Sequence, residues 1–294
     1  TDRGLVAAVV QGGPVATDVP DERRAVLAAH VDQTRALIAR GSRPDLVVWP
    51  ESATDIDPST DAATERSIAS TVGLLGTDLL VGMTTAETVG GAPARNLVVA
   101  WSAETGPGPS YAKRRLVPFG EYLPMRSFLE RVSPRFSDVP RDLSAGSVPG
   151  VLPTGSAQVG VVTCYEVAFD GDVREVVAQG AEVIAIPTNN ATYSGSTQPA
   201  QQLAMARVRA AEMGRWVLVA ATTGVSAIIG PDGTVASQIA DGQAGALTAV
   251  VDRRTDLTPT VVTGSWVTVV VSLLGIGAIA AGALRGSRVR PRQG

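Results

Sequence analysis

The stretch Val159-Gly160-Val161-Val162-Thr163-Cys164-Tyr165-Glu166 joins an apolar run to a thiol and a carboxylate. A short apolar run of this kind is typical of a buried strand. A second run, Leu46-Val47-Val48-Trp49-Pro50-Glu51, also ends on a carboxylate. Because the sites of α/β sheets gather at the carboxyl ends of their strands, the two runs predict an α/β fold with Cys164 and Glu51 at strand ends.

Strand and helix patterns alternate outward from these two runs. The predicted strands are Leu5–Val10, Leu46–Trp49, Leu79–Gly82, Asn96–Trp101, Gln158–Thr163, Val183–Pro187, Trp216–Ala221, Ser226–Ile229, Val235–Ile239 and Ala246–Val251. The predicted helices are Glu22–Ala39, Thr60–Thr71, Asp172–Ala178 and Gln198–Met213. Gly106-Pro107-Gly108-Pro109 is predicted to be a turn-rich linker. The alternation favours one layered α/β domain over residues 1–256.

A single lysine stands among the 25 lysine and arginine residues of the chain. It opens the segment Lys113-Arg114-Arg115-Leu116-Val117-Pro118-Phe119-Gly120-Glu121. Lysine is a compact, tunable ammonium that arginine does not replace in chemistry. Cys164 is likewise the only cysteine. Glu51, Lys113 and Cys164 together predict a thiol nucleophile with a carboxylate base and a cationic partner.

Each of these three residues also has a simpler interpretation. A lone cysteine is most often a small buried hydrophobe. Glu51 alone could be an exposed acid at a strand end, and Lys113 a solvated surface cation. Their coincidence at strand ends favours catalysis over three unrelated structural roles.

Composition excludes several other classes of function. The formal net charge of −3 argues against a nucleic-acid partner. One histidine and one cysteine cannot assemble an ordinary zinc site, so neither a metal nor a cofactor is predicted. The histidine, His30, lies in an amphipathic stretch and is predicted to be solvated at the surface. No serine-nucleophile elbow or phosphate-binding loop is present in the sequence.

The C-terminal region predicts a membrane helix. Residues 261–284 contain no charged side chain and would span ~36 Å as a helix at ~1.5 Å per residue, enough for a bilayer core of ~30 Å. Arginines are denser after this run than before it, so residues 285–294 are predicted to be a basic cytoplasmic tail and residues 1–256 to lie outside. The chain opens on Thr1 without a signal peptide, and we expect its N-terminus to be a cut rather than a start.

Residues 114–150 interrupt the alternation and are long for a connection within a domain. They contain Phe119, Phe128 and Phe136, and Met125, Phe128, Leu129 and Val132 follow a helical spacing. Two interpretations remain open. The stripe packs on its own domain, or the segment is a lid that dips into a bilayer.

These motifs resemble a known family. Trp49-Pro50-Glu51, the Lys113 segment and Cys164-Tyr165-Glu166 are similar to the Glu-Lys-Cys triad of the nitrilase superfamily. Lys113-x-x-Leu116-Val117-Pro118-Phe119-Gly120-Glu121-Tyr122-x-Pro124 and Asn189-Asn190-Ala191 resemble, more narrowly, the apolipoprotein N-acyltransferases. Thr192 and Gln202 depart from the family, which often has tryptophan and histidine there. The bundle of membrane helices that usually precedes this domain has no counterpart in the sequence.

The resemblance implies an αββα sandwich on the extracytoplasmic side of the cell membrane, followed by one C-terminal transmembrane helix. It implies that Cys164 takes an acyl chain from a phospholipid as a thioester and passes it to the α-amine of a diacylglyceryl-modified apolipoprotein. Glu51 would act as base, Lys113 would stabilise the oxyanion, and Glu121 and Glu166 would orient them. Tyr165 and Asn189 are the further supporting residues that the motifs imply.

Two alternatives remain at this stage. A membrane-tethered amidase or other nitrilase-type hydrolase would use the same triad with water as the acceptor. A tethered binding module would keep the fold without catalysis, although the retention of the only lysine and the only cysteine at triad positions weighs against it.

Overall fold

Two six-stranded sheets form the centre of the computed structural model, which describes residues 4–16, 21–85, 93–133 and 142–288. In chain order the strands are β1 (Leu5–Gln11), β2 (Leu46–Val48), β3 (Asp78–Thr84), β4 (Asn96–Ser102), β5 (Gly106–Ala112), β6 (Gly150–Pro153), β7 (Gln158–Val161), β8 (Val183–Thr188), β9 (Val217–Ala221), β10 (Ser226–Ile229), β11 (Val235–Ile239) and β12 (Gly245–Val251). The first sheet has the order β12-β1-β2-β3-β4-β5 and the second the order β11-β10-β9-β8-β7-β6.

The described residues form seven α-helices. In chain order they are α1 (Glu22–Ala39), α2 (Ala62–Leu75), α3 (Arg126–Val132), α4 (Asp170–Ala178), α5 (Gln198–Met213), α6 (Pro259–Thr263) and α7 (Trp266–Arg288). Of these, α1 and α2 cover the outer face of the first sheet and α4 and α5 that of the second. The side chains of Asp21 and Asp61 accept hydrogen bonds from the first turns of α1 and α2, which satisfies backbone N–H groups that have no partner within a helix.

Three apolar clusters hold these layers together. One lies between the two sheets, with Val9, Leu80, Val161 and Leu218 among its members. A second joins α1 and α2 to the first sheet, and a third joins α4 and α5 to the second sheet. β2, β8 and β9 are buried on both faces, which explains why they appear in the sequence as continuous apolar runs. The predicted αββα sandwich is confirmed.

Most predicted elements are confirmed to within a few residues, but the prediction for Gly106–Pro109 is wrong. This segment begins β5, which pairs with β4 at the edge of the first sheet. Glycine and proline are usually turn signals, so the segment was not predicted as a strand. A proline is nevertheless tolerated in an edge strand, where its missing N–H faces no partner strand. β6, another edge strand, was also not predicted.

The C-terminal run differs from its prediction. Val261 is buried in the cluster beneath α4 and α5, and the run is divided at Gly264 into α6 and α7. Across the ranges that the structure describes, no helix combines the length and the apolar character of a membrane span. The predicted transmembrane helix over 261–284 is therefore not supported, and residues 289–294 of the predicted tail lie outside the described residues.

The structure describes most of the segment 114–150. α3 lies within it, and no residue of α3 is buried. Met125, Phe128 and Val132 are 71%, 59% and 63% exposed, so the apolar stripe does not pack into the core. Phe136 falls outside the described residues.

The prediction that His30 is a solvated surface residue is wrong. Its side chain is 1% exposed and lies on the inner face of α1, 5.9 Å from the ring of Trp49. Periodicity placed the residue on an amphipathic helix but did not identify which face is buried.

Candidate active site

Four strand ends bring predicted site residues together across the two sheets. Glu51 follows β2 and Lys113 follows β5 in the first sheet, while Cys164 follows β7 in the second. Asn189 follows β8, which pairs with β7. The predicted position of Glu51 and Cys164 at strand ends is thus confirmed.

Lys113 lies between two carboxylates. Its Nζ is 2.8 Å from Glu51 Oε1 and 2.8 Å from Glu121 Oε2, and the side chain is 2% exposed. Asn96 links the same carboxylates, since its Nδ2 donates to Glu51 Oε1 at 2.7 Å and to Glu121 Oε1 at 2.8 Å. A buried cation requires this kind of pairing, because an unpaired one would carry a large desolvation cost.

Glu51 also contacts the second sheet. The backbone N–H of Asn189 donates to Glu51 Oε2 at 2.8 Å. The Cys164 thiol lies close enough to Glu51 and to the same Asn189 N–H for both groups to act on its pKa. Glu51 therefore pairs with the cation and lies beside the thiol, which is the position that a general base requires.

The backbone at Cys164 is held in an unusual conformation. Its φ is 52°, in the left-handed region that non-glycine residues rarely adopt. Glu166 stabilises this turn, because its Oε2 accepts the N–H of Thr163 at 2.7 Å. Its Oε1 accepts the N–H groups of Arg114 at 2.7 Å and Arg115 at 2.9 Å. One buried carboxyl group thus fixes the backbone on both sides of the site.

Tyr165 has a different environment. It is 45% exposed and packs edge-on against Phe169, with ring centroids 5.2 Å apart. Both rings line a cavity of about 670 Å³ together with Arg114 and Arg115. Both guanidinium groups bind Asp172, at 3.1 Å from Arg114 and 2.9 Å from Arg115. Tyr165 therefore lines a cavity at the surface and is not part of the buried centre around Glu51 and Lys113.

The electrostatic environment keeps the thiol protonated at rest. Burial, followed by the charge of Glu51, raises the pKa of Cys164 to about 12, although Lys113 acts in the opposite direction. Burial lowers the pKa of Lys113, but the charges of Glu51, Cys164 and Glu121 outweigh this and raise it above its usual value. The resting site therefore holds a neutral thiol beside a firmly protonated ammonium.

Sequence reasoning missed Asn96 and Tyr111 as parts of this site. Asn96 is the first residue of β4, and the Tyr111 hydroxyl near the end of β5 donates to Glu166 at 2.8 Å. No local signal marked them, because their partners lie 45 and 55 residues away along the chain. Among the described residues, no group of three or more histidine, cysteine, aspartate or glutamate side chains is arranged to hold a metal ion.

Comparison with known proteins gives consistent similarities. A family model described as carbon-nitrogen hydrolase matches residues 6–258. The apolipoprotein N-acyltransferase of Mycolicibacterium smegmatis is 36% identical over 301 residues, covering 99% of this chain and 50% of that protein. The apolipoprotein N-acyltransferase of a Pseudomonas aeruginosa strain is 30% identical over 268 residues, covering 90% and 51%. The chain spans about half the length of these curated relatives.

Solved structures share the fold. Nit3 of Saccharomyces cerevisiae, described as a member of branch 10 of the nitrilase superfamily, superposes with a TM-score of 0.66 at 17% identity, covering 85% of this chain and 90% of that one. An amidase from Nesterenkonia sp. gives 0.62 at 20% identity, covering 86% and 92%. These two structures, below 25% identity, share the fold, while the family model and the curated relatives confirm the family resemblance that the motifs predicted.

Proposed function

The chain belongs to the carbon-nitrogen hydrolase family, and we propose that it carries out the acyl transfer of an apolipoprotein N-acyltransferase. A fatty acyl chain moves from a phospholipid to Cys164 and then to the α-amine of a diacylglyceryl-cysteine at the start of a lipoprotein. The observation that carries this proposal is the ion pair of Glu51 with Lys113 at 2.8 Å, beside a thiol whose pKa Glu51 raises and Lys113 lowers. The curated relatives are named for an apolipoprotein acceptor and a transferred acyl group, and phospholipid as the donor is our proposal.

In the first half-reaction, Cys164 Sγ attacks the ester carbonyl of the phospholipid. Glu51 takes the thiol proton as the carbon–sulfur bond forms, because a thiol whose pKa is raised to about 12 is not ionised beforehand. Lys113 Nζ stabilises the oxyanion of the tetrahedral intermediate. Glu51 then gives the proton to the leaving alcohol oxygen, and the lysophospholipid departs from a thioester.

In the second half-reaction, the neutral α-amine attacks the thioester carbonyl. Glu51 takes a proton from the attacking nitrogen and returns it to the sulfur as the carbon–sulfur bond breaks. The products are an amide and the free thiol of Cys164. A covalent thiol divides one difficult ester-to-amide exchange into two easier steps.

Product analysis tests this proposal against the amidase or hydrolase alternative. The chain is incubated with a phospholipid labelled in its acyl chain and with a synthetic diacylglyceryl-cysteinyl peptide. We expect label in the peptide as an amide, none with Cys164→Ala, and little release of free fatty acid. Release of the label as free acid at an equal rate with and without peptide would instead establish a hydrolase.

We also propose that α7 and the exposed side of α3 contact lipid. Trp266, Leu274 and Ile279 of α7 are 73%, 68% and 75% exposed. Monomeric proteins rarely leave so much apolar surface in water, and patches of this extent mark a contact with a partner or a membrane. The relatives are named as acyltransferases of apolipoproteins, which favours lipid as that contact. The predicted orientation, with residues 1–256 outside and the tail in the cytoplasm, depended on the predicted membrane helix and is likewise not supported by the described residues.

A further inference from the structure

A second cavity, of about 420 Å³, lies beside Glu51. The loop after β1, the start of α1 and the loops that follow β2, β8 and β9 contribute to its wall. Ser52, directly after Glu51, lines it, as does Asn189, whose N–H donates to Glu51. Thr222 Oγ1 in turn donates to Asn189 Oδ1 at 3.0 Å. The cavity wall is therefore joined to the proposed base by one direct hydrogen bond, from the Asn189 N–H.

The charges of this cavity are all of one sign. Glu22 and Asp55 line it, and the described residues of its wall include no lysine or arginine. The cavity beside Tyr165 differs, because Arg114 and Arg115 contribute to its wall. A cavity with two carboxyl groups and no cation favours a positively charged ligand.

Two buried polar atoms in this wall have no hydrogen-bond partner among the described residues, namely His30 Nε2 and Thr223 Oγ1. His30 Nδ1 is 2.7 Å from the carbonyl oxygen of Val26, so Nδ1 carries the proton and Nε2 is left with a lone pair. Burial lowers the pKa of His30 to about 4, which keeps the ring neutral at neutral pH. Buried polar atoms are almost always paired, so unpaired ones at a cavity point to a missing ligand.

We infer that this His30 cavity binds the free α-amine end of the acyl acceptor, while the donor phospholipid approaches from the Arg114–Arg115 side. The acceptor arrives as an ammonium, which the carboxyl groups attract, and gives one proton to solvent water before the neutral amine attacks the thioester. His30 Nε2 and Thr223 Oγ1 are the hydrogen-bonding groups available to its N–H groups. This inference rests on the proposed function and assigns its two substrates to different sides of Glu51.

A spectroscopic titration tests binding without turnover. His30 is the only histidine, so isotope-labelled histidine gives one imidazole signal from the full chain. We expect a diacylglyceryl-cysteinyl tetrapeptide with a free α-amine to shift that signal, and its N-acetylated counterpart to shift it far less. No shift with either peptide, or equal shifts with both, would overturn the inference.

Half-reaction kinetics provide the second test. Thr223→Val and Glu22→Gln should each slow transfer from the pre-formed thioester to the peptide about three- to tenfold, the effect of losing one hydrogen bond or charge contact. Thioester formation from phospholipid should be unchanged. Glu104→Gln, which removes an exposed carboxylate between β4 and β5, is the matched control and should alter neither step.

Failure of the acceptor site can be distinguished from failure of the proposed function. Equal slowing of both steps, or unchanged transfer in both variants, would overturn the acceptor site and leave the thioester mechanism standing. Absence of any thioester in the unmodified chain would overturn the proposed function, and the imidazole titration would still decide whether the cavity recognises a free amine.

Discussion

Lys113 keeps its charge in a position that is 2% exposed, because two carboxylates lie 2.8 Å from its Nζ. Arginine would keep the charge but could not place a single compact donor between Glu51 and Glu121. We expect Lys113→Arg to slow thioester formation about 100- to 1,000-fold, the typical loss for one oxyanion donor. Arg35→Lys, at an exposed position of α1, is the control and should form the thioester at the unmodified rate. Full activity of Lys113→Arg would exclude an oxyanion role.

His30 predicts a pH dependence of stability. Its pKa is lowered from 6.5 to about 4 by burial, so the unfolded chain takes up a proton first as the pH falls. The stability that the neutral ring contributes is complete above about 6.5 and is lost as the pH falls towards 4. The difference in unfolding free energy between the unmodified chain and His30→Asn should therefore shrink across this window, measured by urea denaturation. An imidazole midpoint near 6.5 by NMR would contradict this account.

At the residue scale, the site was predictable because two of its residues are of types that occur only once in the sequence. Cys164 and Lys113 stood out as the only residues of their type, and Glu51 as a carboxylate after an apolar run. Asn96 and the backbone-binding role of Glu166 were not predictable, because their partners lie far along the chain. Asn96 meets Glu51 across 45 residues, and Glu166 meets Arg114 across 52.

At the element scale, Gly82 in β3 decides where the Glu51 loop lies. A Cβ at Gly82 would lie 2.0 Å from the Pro50 carbonyl oxygen and 2.7 Å from Glu51 Cα. We expect Gly82→Ala to destabilise the fold by about 1–3 kcal/mol through overpacking, and to slow thioester formation by displacing Glu51. Gly73→Ala on α2 meets no atom within 4 Å and should stabilise by up to ~1 kcal/mol. Equal unfolding free energies of the two variants in urea denaturation would contradict this role of Gly82.

The exposed apolar stripe of α3 gives a prediction for the proposed contact of α3 with lipid. Phe128 and Val132 are 59% and 63% exposed, so Phe128→Ser with Val132→Ser should change the unfolding free energy by no more than ~0.5 kcal/mol. Turnover of phospholipid in bilayers should fall, while turnover of a short-chain soluble ester should stay normal. Leu123→Ser, at a position that is 3% exposed, serves as the destabilising control. Equal loss on both substrates would argue against contact with the bilayer.

Strands that are buried on both faces were predicted better than strands at the edge of a sheet. β2 and β8 were predicted well because both faces are apolar, whereas the edge strand β5 was hidden by its glycines and prolines. The run 261–284 was predicted as one helix from its lack of charge. Gly264, with φ 57° and ψ −141°, instead separates α6 from α7.

At the scale of the whole molecule, the site exists only where the two sheets meet. Glu51 and Lys113 come from the first sheet, and Cys164 and Asn189 from the second. The sequence predicted alternating layers and the family resemblance predicted their αββα order. The sequence pattern did not predict which faces of the two sheets pack together. A strand that is buried on both faces is apolar throughout, so its sequence does not show which side faces the other sheet.

The central claim, that Cys164 carries the acyl chain, is tested most directly by intact-mass measurement after incubation with a single defined phospholipid. Because Cys164 is the only cysteine, a thiol-linked adduct has one possible position. We predict an added mass equal to one acyl chain, which is removed by hydroxylamine, absent from Cys164→Ala, and discharged when the diacylglyceryl-cysteinyl peptide is added. Transfer of the acyl chain to the peptide by Cys164→Ala at the unmodified rate would contradict the account.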